Sequence, residues 1–212
     1  MNEFLKGIQK HFSPEDLEKI AGTKVGIAGA GGLGSNCAVH LVRSGFSRLS
    51  IADFDRIEAS NLNRQFYFYD QLGHKKTDKL KENLLKINPD AMIETRDIRL
   101  DEKNILEVFS DCNIIVEALD RAEDKAVMVE AFIKSQKLFI SVSGIGGWGD
   151  SDRIKTHKIN DNFYMIGDML SEVGEDMPPT SAIVSIAAAK QADIILSRVI
   201  GHMNYNKGHN ES

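Results

Sequence analysis

Residues 29–34 read Gly-Ala-Gly-Gly-Leu-Gly, a G-x-G-x-x-G run. An apolar stretch leads into it and a helical pattern leaves it, the context such a run needs to bind a nucleotide. Glycines let the backbone turn tightly and come close to a phosphate. The start of a helix adds unpaired N–H groups and a partial positive charge. Asp53 lies nineteen residues beyond Gly34, at the end of the next predicted strand, where an acid commonly accepts from ribose hydroxyls. Gly29, Gly31, Gly32, Gly34 and Asp53 are therefore expected to hold an adenosine-containing nucleotide. The run alone does not separate NAD from ATP. A glycine turn needed only for tight helix–sheet packing is the plainer alternative.

A second group of residues bears on that choice. Asp53-Phe54-Asp55 leads into Ser60-Asn61-Leu62-Asn63-Arg64-Gln65, followed by Gly73-His74-Lys75-Lys76 and later by Leu119-Asp120. A triphosphate needs cations along its length. Arg64 and Lys76 are candidates, with Asn61 and Gln65 as neutral partners. Magnesium on phosphates takes one or two carboxylates, and Asp120, just past a predicted strand, stands where one is useful. Asp55 either reaches phosphate through Mg2+ or caps its turn. A dinucleotide carries only a pyrophosphate and has no clear use for this second set. ATP with Mg2+ is thus the favoured ligand.

The elements that must position these residues follow a strand–helix rhythm. Strands are predicted over residues 24–28, 48–52, 92–96, 113–118 and 138–142, and helices over 35–44, 76–87, 102–109 and 121–135. That alternation predicts an α/β, doubly wound, Rossmann-like and mostly parallel sheet. Ligands bind at the carboxyl ends of such strands, where Asp53 and Asp120 fall. A helix over residues 2–12 and another starting at Ser13-Pro14, with Ser as its cap, precede the first strand. Strands over 154–159 and 163–166, around an Asn160-Asp161-Asn162 turn, predict an antiparallel addition. A polar loop over 167–180 and a long helix over 181–200 complete a single domain spanning residues 1–201. Residues 202–212 are expected to fray.

Composition narrows the function classes. The chain has 212 residues, 42% hydrophobic and 27% charged, with a net charge of −5. No basic field draws it to nucleic acid or anionic membrane, and no apolar run is long enough to span a bilayer. The two cysteines, Cys37 and Cys112, cannot supply an all-cysteine zinc site and are not a C-x-x-C pair. A cytoplasmic location and no zinc are expected.

On the glycine run, Asp53-Phe54-Asp55, residues 60–65, residues 73–76 and Leu119-Asp120, the chain resembles the ThiF/MoeB/ubiquitin-activating (HesA) superfamily of adenylyltransferases. The resemblance runs from about residue 12 to residue 201. The segment over 162–168 and the short length look most like the short ThiF subfamily, sulfur carrier protein ThiS adenylyltransferases of thiamine biosynthesis. The resemblance implies an enzyme that binds ATP and Mg2+. It would adenylylate the C-terminal glycine carboxylate of a ubiquitin-like, ThiS-like sulfur carrier ending in Gly-Gly, and release pyrophosphate. By that carry-over Asp53 holds ribose, Asn61, Arg64 and Gln65 hold phosphates, Leu119 lines the nucleotide, Lys76 stabilises the transition state and Asp120 binds Mg2+. Homodimers are the rule among bacterial relatives, so one is expected here. Other carriers (the small subunit of molybdopterin synthase among them), a non-catalytic nucleotide- or carrier-binding module, and a nicotinamide-dependent oxidoreductase stand as alternatives.

Departures from the pattern carry information. The two C-x-x-C pairs of zinc-bearing relatives are missing, and no cysteine follows Cys112. Both cysteines are expected to be buried small hydrophobes rather than nucleophiles, leaving a chain trimmed to the adenylation step. No arginine precedes Arg43, so a partner-subunit arginine found in relatives is vacant or replaced by Lys6 or Lys10. Lys75 and Lys79 are expected to be solvated. Arg121 and Lys125 are either nucleotide contacts or surface charges, and Trp148 either lines a channel for the carrier tail or is buried. The apolar stretch around Ala187-Ala188-Ala189 reads as core or dimer contact.

Overall fold

Parallel strands covered on both faces must be apolar throughout, and the central strands of this chain meet that demand. The computed structural model describes residues 2–201, so the tail expected to fray over residues 202–212 lies outside the described residues. The strands are β1 (Lys24–Ala28), β2 (Arg48–Ala52), β3 (Met92–Arg96), β4 (Ile114–Glu117), β5 (Leu138–Val142), β6 (Lys155–Lys158) and β7 (Phe163–Gly167). They form one sheet in the order β3-β2-β1-β4-β5-β7-β6. All neighbours are parallel except β6, which runs antiparallel to β7. The expected antiparallel addition is thus a hairpin whose second strand joins the sheet. The chain passes to the outer edge as β6 and returns as β7, parallel to β5.

Side chains alternate between two cores, as the two-residue period of a strand requires. Val25 and Ile27 of β1 enter one core; Ala28 enters the other. The first is covered by α2 (Pro14–Gly22), α3 (Gly32–Arg43), α4 (Lys76–Leu85) and α7 (Ser181–Ile200), with α3 packed extensively on α7. The second is built on Phe109, Phe132, Phe139 and Phe163 under α5 (Ile105–Val108) and α6 (Ala122–Phe132). Gly26 admits the Phe109 ring so closely that a Cβ there would stand 2.6 Å from Cδ1. Ala187 and Ala188 are wholly buried within the first core. The apolar stretch of α7 is therefore core.

Element ends follow local chemistry. The Ser13 hydroxyl accepts the Asp16 N–H at 3.1 Å and starts α2, with Pro14 in its first turn. The helix expected over 2–12 stops early as α1 (Glu3–Ile8). The helix expected over 102–109 forms only as α5. Asp101 accepts the N–H groups of Lys103 and Asn104 at 2.9 and 3.1 Å, and Asn104 donates to the Arg99 carbonyl at 2.9 Å. These side-chain bonds hold residues 101–104 in a turn that competes with helix. No helix among the described residues is long and apolar enough to cross a membrane.

Candidate nucleotide site

The glycine run leaves β1 and becomes the first turn of α3, so the helix begins at Gly32 with Gly31 as its cap. Gly29 has φ +97°, and a Cβ there would stand 2.7 Å from the Ala118 carbonyl oxygen. A Cβ on Gly34 would stand 1.8 Å from the Gly29 carbonyl oxygen, and one on Gly32 would stand 2.9 Å from Val184 Cγ1. These three glycines let β1, α3, β4 and α7 approach one another. Gly31 is different. Its φ is −76°, and the nearest atom to its Cβ position is Gln65 Nε2 at 3.9 Å. Packing explains three glycines and leaves the fourth facing open space beside the unpaired N–H groups of a helix start.

Asp53 closes this loop from below. One carboxylate oxygen accepts the Ala30 N–H at 2.6 Å and the other the Asp55 N–H at 2.7 Å. Burial pushes the Asp53 carboxyl up, offset in part by the Ala30 N–H and the Lys76 charge. Each carboxylate oxygen has a second lone pair, so acceptor capacity for a ribose hydroxyl is retained. Asp55 in turn pairs with Lys76, Nζ to Oδ2 at 2.7 Å. Lys76 opens α4, and its side chain is 7% exposed. The Tyr67 hydroxyl, buried between the two loops, donates to the Ala30 carbonyl at 2.8 Å and lies 3.3 Å from the Lys76 carbonyl. Asp55 therefore orients Lys76 as well as following its turn.

Residues 60–66 are stitched onto the start of α3. Asn36 donates to the carbonyls of Gly32 at 2.6 Å and Arg64 at 2.8 Å, and the Phe66 N–H donates to Ser35 Oγ at 3.0 Å. The Arg64 stem lies over Gly32, its Cγ 3.5 Å from the Cβ position. Among the described residues its guanidinium holds only the Ser60 carbonyl at 3.1 Å and Asn63 Oδ1 at 2.7 Å. Gln65 is buried with its Oε1 unpartnered and its Nε2 toward Gly31. Asn61 is not brought to the loop in the same way. Its Oδ1 accepts the Glu58 N–H at 3.1 Å, and Nδ2 lies 3.5 Å from Ser60 Oγ, so the side chain closes its own turn.

Across the sheet, Leu119 Cδ2 reaches 3.3 Å from the Cβ position of Gly29. Asp120 follows, exposed, with no hydrogen bond or ion pair among the described residues. No cluster of three or more metal-ligating side chains occurs among the described residues. A single free carboxylate beside a phosphate cradle suits Mg2+, which keeps waters and binds mainly through phosphate oxygens. The donor set fits a magnesium ion carried with a nucleotide.

The match of the ThiF family model over residues 6–208 decides the lineage. This chain belongs to the ThiF family. Among curated relatives, adenylyltransferase and sulfurtransferase UBA4 of Eremothecium gossypii is 33% identical over 62% of this chain and 30% of its own length. The same enzyme of Saccharomyces cerevisiae is 28% identical over 79% of this chain and 37% of its own length. Ubiquitin-like modifier-activating enzyme 5 of Arabidopsis thaliana is 36% identical over 50% of this chain and 25% of its own length. The ThiF-family chain thus matches well under half of each relative. Among solved structures, E. coli tRNA N6-threonylcarbamoyladenosine dehydratase, TcdA, in complex with ATP superposes with a TM-score of 0.83 at 18% identity, covering 92% of both chains. E. coli MccB with ATP gives 0.66 at 22% identity, covering 88% of this chain and 57% of that one. These two likenesses show the shared fold.

Other side chains of the ThiF-family domain meet or depart from expectation one by one. Lys125 neither faces the nucleotide loop nor stands free; it pairs with Glu117, a fully buried carboxylate ending β4. Glu117 carries a sequence signal that went unused: it is the one charge inside an otherwise apolar strand. Trp148 is 68% exposed, which removes the buried reading. Lys75 and Lys79 sit in ion pairs with Asp97 at 2.6 Å and Glu82 at 2.7 Å. Cys37 and Cys112 are buried, and burial raises both thiols, Cys112 to about 11.

Proposed function

We propose that this chain uses ATP to adenylylate the C-terminal glycine carboxylate of a ubiquitin-like sulfur carrier of the ThiS type, in thiamine biosynthesis. The observation that carries the reading is the meeting of the open Gly31 cradle with a buried Lys76 ammonium held through Asp55 and Asp53 to the same loop. A dinucleotide carries only a pyrophosphate and has no clear use for this further cation. The names of the curated relatives, an adenylyltransferase and sulfurtransferase and a ubiquitin-like modifier-activating enzyme, support the same class. TcdA, by its name, acts on a tRNA. A net charge of −5 favours a protein carboxylate over a polyanion here.

In this reading the carrier carboxylate attacks the α-phosphorus. A carboxyl-oxygen-to-phosphorus bond forms as the bond to the pyrophosphate oxygen breaks, giving acyl-adenylate and pyrophosphate. Little covalent work falls to the protein, which must place two anions together and neutralise their charge. Asp53 accepts from the ribose, Gln65 and the α3 start cradle phosphate, and Arg64 leaves its two neutral partners for the phosphates. Lys76 meets the charge that develops on the α-phosphate. Asp120 would hold Mg2+, which shields the phosphate oxygens and helps the pyrophosphate leave. With both thiols buried and raised, no thiolate is at hand to capture the adenylate. Sulfur transfer is then no step of this domain's own thiols. The chain is read as cytoplasmic and homodimeric.

Exchange of labelled pyrophosphate into ATP, dependent on a carrier ending in Gly-Gly, tests the reading. Nucleotide binding without exchange for any such carrier would make the chain a binding module. Preference for NAD(H) over ATP would make it an oxidoreductase.

A further inference from the structure

We infer that Glu117 is a positioning residue: it fixes the Leu119-Asp120 turn so that the Asp120 carboxylate meets the phosphate end of a bound nucleotide. The inference rests on the nucleotide reading above and adds to it a residue outside the ligand-facing shell. Glu117 ends β4 with 0% of its surface exposed. Its Oε1 accepts the Leu119 N–H at 2.7 Å. Lys125 Nζ lies 3.0 Å from both carboxylate oxygens, and Ser141 Oγ donates to Oε2 at 2.6 Å. Lys125 also donates to the Val142 carbonyl at 3.1 Å, and Gln191 Nε2 to the Glu117 carbonyl at 3.2 Å. One carboxylate therefore ties together the ends of β4 and β5, the start of α6 and, through its backbone, α7.

Stability alone is a poor reason to keep this charge. Burying an ion pair costs desolvation that its attraction only partly repays, and apolar residues of similar volume often serve as well. What an apolar residue cannot do is accept the Leu119 N–H. That bond fixes the backbone one residue before Asp120, while the Leu119 side chain rests against Gly29. The turn is held from both sides, yet Asp120 itself has no partner among the described residues. A carboxylate kept free on a backbone kept rigid is the arrangement a preorganised ligand group needs.

The test is E117M, which keeps the length of the side chain but removes the acceptor of the Leu119 N–H. Amide hydrogen exchange at residues 119–121 is expected to speed by about tenfold or more, with residues 24–28 unchanged. Titration of ATP is expected to show the Mg2+-dependent gain in affinity reduced by about tenfold, the scale seen when groups behind a metal ligand are changed. ATP affinity without Mg2+ should hold within about twofold, since the cradle is untouched. If E117M does not fold, S141A carries the test, removing one hydrogen bond to the carboxylate while keeping the ion pair. It is expected to change both readouts by about threefold. Wild-type exchange at residues 119–121, or a wild-type Mg2+ gain, in the folded variant would overturn the inference. If the wild-type protein binds no ATP, the nucleotide reading falls and the role of Glu117 toward a ligand falls with it. Loop exchange still reports separately whether Glu117 fixes the turn.

Discussion

Two buried lysines stand at opposite ends of the same sheet, and they are held in different ways. Lys24, at the amino end of β1, is 5% exposed and pairs with Glu94 at 2.7 Å and Asp111 at 2.6 Å. Lys76, near the carboxyl ends, is 7% exposed and pairs with Asp55 alone. Lys24 has two carboxylates, one on β3 two strands away and one in the loop leading into β4. Its charge is fully matched. Lys76 has one ion-pair partner among the described residues, with Asp53 near enough to feel its charge, and it borders a loop whose Gly31 faces open space. A cation with matched acids staples secondary structure. A cation with one acid beside an anion cradle keeps capacity for a ligand.

That contrast can be broken by substitution. Lys76→Ala should lower pyrophosphate exchange by about 10²–10³-fold, as for loss of one electrostatic stabiliser. Steady-state kinetics would check it; a wild-type rate would end the functional reading of Lys76. The same division runs through the glycines. Gly31→Ala should weaken ATP binding by about tenfold while the fold survives, because only the ligand side is open. Gly34→Ala should fail to fold, with its Cβ 1.8 Å from a backbone oxygen. Calorimetry on the pair distinguishes cradle from packing.

Asp55→Asn should lower exchange by about tenfold, through loss of the hold on Lys76 rather than of the cation itself. Its effect should appear in kcat more than in KM, read from the same kinetics. Lys24→Met should leave exchange at the wild-type rate and change stability by about 1 kcal/mol or less, because both acids it leaves remain solvated. A large loss of activity in Lys24→Met would erase the contrast.

The Arg153–Asp168 pair belongs on the structural side of the division. Burial alone would raise the Asp168 carboxyl. The N–H groups of Ser171 and Leu170, the Ser171 hydroxyl and Arg153 together hold it down at about 2. A depressed carboxylate contributes stability that is whole above its unfolded value of about 4 and lost as pH falls toward its folded value. Melting temperatures followed from pH 5 downward should fall faster for the wild type than for Asp168→Asn below about pH 4. Parallel curves would show that the pair contributes nothing to the fold.

Much of this was legible from residue types because the demands are local. β1, β2, β3, β5 and α7 have the bounds their apolar periods predict. The short α5 was not, because Asp101 and Asn104 make side-chain bonds that a hydrophobic pattern does not register. In the site, the glycine run, Asp53 and Lys76 were visible from spacing alone. Their pairing through Asp55 was not, since it joins residues twenty-one apart across a loop. Asn61 looked like a phosphate contact from its place in the motif, and the geometry gives its carbonyl to the Glu58 N–H. The exposure of Trp148 depends on how residues 144–180 leave the sheet, which no local pattern determines.

The hairpin that closes the sheet has a consequence for how this protein meets other copies of itself. It puts a short, charged strand at one border: β6 carries Lys155, His157 and Lys158. The opposite border, β3, carries Glu94 and Arg96 on its exposed side. Charged and brief borders resist continuation of the ladder by a second chain. Addition of a strand from a second chain, the route to fibres, is thereby disfavoured at both borders.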